Sequence, residues 1–81
     1  MNRVKFLLPW QISGKYLFIK NFNGTMIASI EQHNGTYFAV SGYYPMKQHT
    51  FSTEEKCKNY VESVLISFGF KIITEKMLSL I

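Results

Sequence analysis

Between Ser52 and Gly69 the apolar positions recur three and four residues apart. Cys57, Tyr60, Val61, Val64, Leu65 and Phe68 form one stripe, while Lys56, Lys58, Asn59, Glu62, Ser63 and Ser67 fill the opposite side. That is the spacing of an amphipathic helix. Ser52 followed by Glu55 reads as a capping box, in which each side chain satisfies a free backbone N–H of the first turn. Glu54 and Glu55 also lie where the helix dipole favours negative charge. Gly69 is suited to the left-handed residue that ends a helix.

Ahead of that stretch the period shortens to two. Arg3 and Lys5 alternate with Val4 and Phe6 as in a short strand, and Pro9 confines that piece to a sheet edge or to a lid across the sheet. Ser13-Gly14 reads as a turn. Residues 15–22, 25–32 and 36–41 then read as strands joined at Asn23-Gly24 and Asn34-Gly35. Both dipeptides suit two-residue type I′ hairpins, whose central residues need positive φ. Residues 42–48 read as a loop and 49–51 as a short extended approach to the helix. After it, 70–75 alternate as a last strand, and the apolar tail 77–81 reads as a closing turn or strand. The expected fold is one α+β domain over residues 1–81. It is a three-stranded antiparallel meander, then one helix packed on one sheet face, then a final strand, in the order β-β-β-α-β.

Two-residue loops fix the register, and the register sorts the side chains. Ile19 falls opposite Ala28, Leu17 opposite Ile30, and Ile30 opposite Ala39. One face then carries Leu17, Ile19, Met26, Ala28, Ile30, Tyr37 and Ala39. Its small central alanines allow a helix to approach closely, so the helix is expected there. The other face carries Tyr16, Phe18, Lys20, Phe22, Ile27, Ser29, Glu31, Phe38 and Val40. One helix cannot cover both faces. Either Phe6, Leu8 and Trp10 fold over the second face, or the 77–81 tail does, or the face binds a partner.

Composition sharpens that question. In 81 residues the chain has one Trp, five Tyr and seven Phe, with 47% hydrophobic residues. This is too apolar for disorder and rich in rings for a domain with a small interior. A single cysteine excludes an internal disulfide. The apolar runs are too short to span a bilayer, and the run near the N-terminus, cut by Pro9, is too short for a signal-peptide core. A soluble protein of the cytoplasm is expected, without membrane attachment. The net charge of +4 arises from Arg3, Lys5, Lys15 and Lys20, all of which precede the first acidic residue, Glu31. That asymmetry suits an anionic partner, or solubility alone.

Few residues offer reaction chemistry. There is no Asp. His33 falls in a hairpin turn, His49 lies before the helix, and Cys57 belongs to the apolar stripe, where a thiol is usually inert. Cys57 and His49, eight residues apart across a loop, could approach as a dyad, but the stripe already explains the cysteine, and a metal site from His33, His49 and Cys57 has no recognisable ligand spacing. No glycine cluster precedes the helix as a phosphate loop requires. The expectation is a protein that is not an enzyme, with no metal and no cofactor.

The run FSTEEKCKNYVE, Phe51–Glu62, resembles the F-x-T-x-E-E-A-x-x-A segment of plant AP2-type and integrase N-terminal DNA-binding domains. Those domains read DNA with a three-stranded sheet. The resemblance covers about a dozen residues and consists mostly of a helix cap, and the arginines of those families' strands are absent here. In general character the chain also resembles small phage and mobile-element proteins, anti-CRISPR and other anti-defence proteins among them. That resemblance implies a compact protein that occupies a working surface of a host machine such as a defence nuclease, and it assigns no residue.

The function expected from the sequence is therefore binding by protein–protein contact. The partner is a host protein or ribonucleoprotein complex, and Tyr16, Phe18, Lys20, Phe38, Tyr43 and Tyr44 are the contact residues. A homodimer that pairs the two aromatic faces, or an edge strand, is a further arrangement. The alternative is nucleic-acid binding through the sheet and the basic residues Arg3, Lys5, Lys15 and Lys20.

Overall fold

The computed structural model describes residues 5–73. Its elements are β1 (Lys5–Leu7), β2 (Gln11–Ser13), β3 (Tyr16–Lys20), β4 (Met26–His33), β5 (Thr36–Val40), β6 (Thr50–Phe51), α1 (Glu54–Ser67) and β7 (Phe70–Ile72). The α+β class and the single helix match expectation, but the sheet is larger. Five strands lie in the order β2-β3-β4-β5-β6, all antiparallel, so the meander gains a strand at each edge. The piece expected at an edge or as a lid, β1, instead pairs in parallel with β7 in a separate two-stranded sheet. Its last residue joins the main sheet through a bridge between Leu7 and Asn21. The expected tail element and the end of the last strand, from residue 74 onward, lie outside the described residues.

The second hairpin forms as its dipeptide requires. Asn34 and Gly35 have φ of 51° and 77°, and His33 and Thr36 pair across them. The first does not. Of Asn23 and Gly24 only the glycine has positive φ. Gly24 N–H donates to Asn21 O, and Asn21 N–H to Thr25 O, so the loop is the three residues 22–24. Asn21 holds it with its own side chain, whose Oδ1 accepts from the N–H groups of Asn23 and Thr25 at 3.0 and 2.9 Å. A three-residue loop would slip the strands by one residue. The slip is undone by a bulge: Lys20 pairs with Met26 and Ile19 with Ala28, which leaves Ile27 as the extra residue of β4. Beyond the bulge the expected register holds, with Leu17 opposite Ile30 and Ile30 opposite Ala39.

The bulge also exchanges two side chains between faces. Ile27, expected on the second face, is buried in the core, and Met26, expected on the first, is 49% exposed. The rest of the first face is as expected. Leu17, Ile19, Ala28, Ile30 and Ala39 are buried, and Cys57, Val61 and Leu65 of α1 are buried with them in one cluster. The helix packs across β4, β5, β6 and β7. Its cap is Thr53 rather than Ser52: Thr53 Oγ1 accepts the Lys56 N–H at 3.1 Å. Adjacent Ser and Thr are both competent caps, and choosing Thr53 puts Lys56 where a capping box needs a carboxylate. Glu54 and Glu55 remain in the first turn, and Gly69, at φ 95°, follows the helix end.

Candidate interaction face

The side of the five-stranded sheet away from α1 is built by strand pairing. One row across it reads Ser13, Tyr16, Glu31, Phe38 and Thr50, and the next reads Gln11, Phe18, Ser29 and Val40. Lys20 and Met26 extend it at one end. Lys20 Nζ stands 5.2 Å from the Phe18 ring centroid, a cation over an aromatic face. At the other end His33 Nε2 meets Glu31 Oε1 at 2.6 Å, and the His33 ring lies edge-on to Phe38 at 6.0 Å. The middle is aromatic and aliphatic, a cation marks one end, and the Glu31–His33 pair marks the other.

No described strand or helix packs on this face. Tyr16 and Val40 are each 49% exposed, while Phe18 and Phe38 are half-buried among their neighbours. Of the residues expected to cover it, Trp10 turns to the helix, where its Nε1–H donates to Glu62 Oε2 at 2.7 Å, Phe6 is 41% exposed, and Leu8 is half-buried beside the end of β3, its N–H donating to Lys20 O at 2.8 Å. Cover by the 77–81 tail falls outside the described residues.

The expected contact residues divide into two groups. Tyr16, Phe18, Lys20 and Phe38 share the open face. Tyr43 and Tyr44 lie in the loop after β5, whose start is set by Ser41: its Oγ donates to Ile27 O and accepts from the N–H groups of both tyrosines. Tyr43 is 65% exposed. The Tyr44 ring is engaged internally, 4.9 Å from Phe68 and edge-on to Phe70 at 5.3 Å. The loop's far end is held by Tyr60, whose hydroxyl accepts the N–H groups of Lys47 and Gln48 at 2.8 and 3.0 Å. Met26 and His33 stand on this face but were missing from the sequence-based reading of it. Met26 is placed by the bulge, which no local signal announces. His33 was legible, being two residues beyond Glu31 on the same strand.

The described residues of the basic set, Lys5, Lys15 and Lys20, do not gather. Lys5 Nζ stands over the Phe70 ring, 5.5 Å from its centroid, beside the two-stranded sheet. Lys15 occupies the β2–β3 turn and Lys20 the far end of β3, about 16 Å away along the strand. Arg3 lies outside the described residues. Cys57 is fully buried, and desolvation pushes its thiol up to about 11, which keeps it protonated at neutral pH. Among the described residues no three His, Cys, Asp or Glu side chains group as a metal site, and no helix is long and apolar enough to cross a membrane. A recess of about 550 Å³ lies on the helix side between Trp10, Glu62, Ile66 and Phe70. No family model, curated protein or solved structure matches the chain.

Proposed function

We propose that this chain is a non-enzymatic binding protein that acts by protein–protein contact, with the open face of the five-stranded sheet as its contact surface. The observation that carries this reading is the row Tyr16–Glu31–Phe38 beside Phe18 and Val40, aromatic and aliphatic yet with no described element over it. A rigid sheet presents such groups with little ordering cost on binding, and exposed aromatics beside isolated charges are typical of energetic centres in interfaces. Charge specifies the partner's surface: apolar at its centre, acidic where it meets Lys20. The likeness in character to phage anti-defence proteins supports a partner within a host macromolecular machine such as a defence nuclease, bound so as to inhibit it. Nucleic-acid binding is less favoured, because of the three described candidate basic residues only Lys20 stands on the face and Glu31 would repel phosphate.

The test uses paired baits, the unaltered chain and a Tyr16→Ser/Val40→Ser variant. A protein retained by the first and lost from the second, then purified and titrated, is expected to bind with affinity nearly independent of salt. The reading is overturned if the variant retains every partner. It is equally overturned if the chain binds short duplex DNA with affinity falling steeply in log salt, by about 0.9 per phosphate contact.

A further inference from the structure

The five-stranded sheet ends at β2, whose outer edge has no neighbouring strand among the described residues. Ser13 and Tyr16 flank a two-residue turn with Gly14 at φ 60°. They therefore exchange hydrogen bonds across the hairpin, as do Gln11 and Phe18, and Ile12 between them directs its N–H and C=O away from β3. These are a donor and an acceptor at an open edge. Of the features that usually protect an edge the strand has only its shortness: Gln11, Ile12 and Ser13 include no charge and no proline, and their register is regular. Ile12 is 74% exposed, more than any other large hydrophobic among the described residues. It lies on the helix side of the sheet but beyond the helix, beside a recess of about 190 Å³ between Leu17, Tyr37 and Glu54.

We propose that two copies of this chain join through β2, antiparallel about a two-fold axis at Ile12, into one continuous sheet of twice the width. The strand is self-complementary about that point. Ile12 meets Ile12 of the second copy, and the two residues exchange both N–H···O=C bonds. Gln11 falls opposite Ser13 of the second copy, a polar pair on the open-face side. Trp10 falls opposite Gly14 of the second copy, where no atom lies within 4 Å of the position a Cβ would take. The indole, already drawn to the helix side by Glu62, has room there, and an aromatic ring across from a glycine is a stabilising cross-strand pair. No like charges meet. Any extended segment could use the backbone groups of Ile12, but an identical strand also matches Trp10, Ile12 and Gly14. The axis is perpendicular to the sheet, so the two open faces come to lie side by side. The edge is separate from the face assigned above, and either assignment can fail alone.

The test is mass by light scattering and amide hydrogen exchange from micromolar to millimolar concentration. The mass is expected to rise from one chain to two, with the Ile12 amide becoming protected in step. Ile12→Lys, at an exposed position, is expected to keep the thermal midpoint and raise the dimer dissociation constant at least about tenfold. Phe18→Ala is expected to leave the dimer intact. A chain that stays single at millimolar concentration, with Ile12 exchange unchanged, overturns the proposal. So does a dimer that survives Ile12→Lys but is lost with Phe18→Ala, since that places self-association on the open face. Should Ile12→Lys not fold, exchange at Ile12 in the unaltered chain decides alone.

Discussion

Trp10 and Glu62 are joined across 52 positions of the chain by a 2.7 Å hydrogen bond from the indole N–H to a carboxylate oxygen. This contact fixes the Trp10 ring to the helix side of the sheet, away from the opposite face. A part-buried bond to a charged acceptor contributes about 1.5–3 kcal/mol. Trp10→Phe keeps most of the ring and removes the donor, so its cost should fall near the lower end of that range, a fall in thermal midpoint of roughly 5–10 °C. Glu62→Gln retains an acceptor and should cost less than Glu62→Ala. Equal losses from both would show that packing, rather than the bond, secures Trp10.

Ile27→Ala should destabilise the fold by about 2–4 kcal/mol, as removal of a buried aliphatic side chain does. Met26→Ala, one residue earlier, should stay within about 1 kcal/mol because Met26 is half exposed. Strict alternation from a two-residue turn assigns these two the other way, so chemical denaturation of both variants tests the bulge directly.

The same pair shows how far the sequence could be read. Leu17, Ile30 and Ala39 could be aligned because a period of two, counted outward from Asn34-Gly35, is unambiguous when both central residues reach positive φ. The helix was legible because its stripe runs unbroken from Cys57 to Leu65. The first hairpin was not, because Asn21 competes with Asn23-Gly24: its side chain caps a three-residue loop, and two compensating one-residue shifts leave no trace in the pattern around them. The strands β1, β2 and β6 are only two or three residues long. They pair because neighbours in space present free edges, which a local period cannot reveal. The candidate face was legible in its centre for the same reason as the register, and lost accuracy at Met26 and Ile27, at His33, and at Phe22, which falls in the three-residue loop.

Cys57 gives a pH signature. Its thiol is fully buried, and desolvation raises it from its ordinary value of 9.0 to about 11. The folded chain therefore holds a proton that the unfolded chain releases first. The associated stability is fully present below about pH 9 and is lost as the pH rises toward 11, by roughly 2 kcal/mol. The quantity to measure is the difference between the unaltered chain and Cys57→Ala across that window. The gap between the two should narrow as pH rises, and a gap that stays constant would mean that the thiol ionises without penalty. Native Cys57 should also react with an aromatic disulfide reagent far more slowly than in denaturant.

Tyr43 and Tyr44 separate binding from folding within one dipeptide. Tyr44 closes an aromatic cluster with Phe68 and Phe70 at the end of the helix, so Tyr44→Ala should cost about 2–4 kcal/mol, in the manner of a large side chain removed from packed surroundings. Tyr43 is 65% exposed, and Tyr43→Ala should leave stability within about 0.5 kcal/mol. Any loss of partner binding in Tyr43→Ala then reports contact, whereas a loss in Tyr44→Ala must first be corrected for unfolding. Against a purified partner of the open face, the expected result is that Tyr16→Ser weakens binding more than Tyr43→Ala does. Tyr16 stands in the row with Glu31 and Phe38, while Tyr43 belongs to a loop tied to the helix side through Tyr44. A larger effect at Tyr43, measured by calorimetry on folded variants, would move the contact surface from the sheet to the loop.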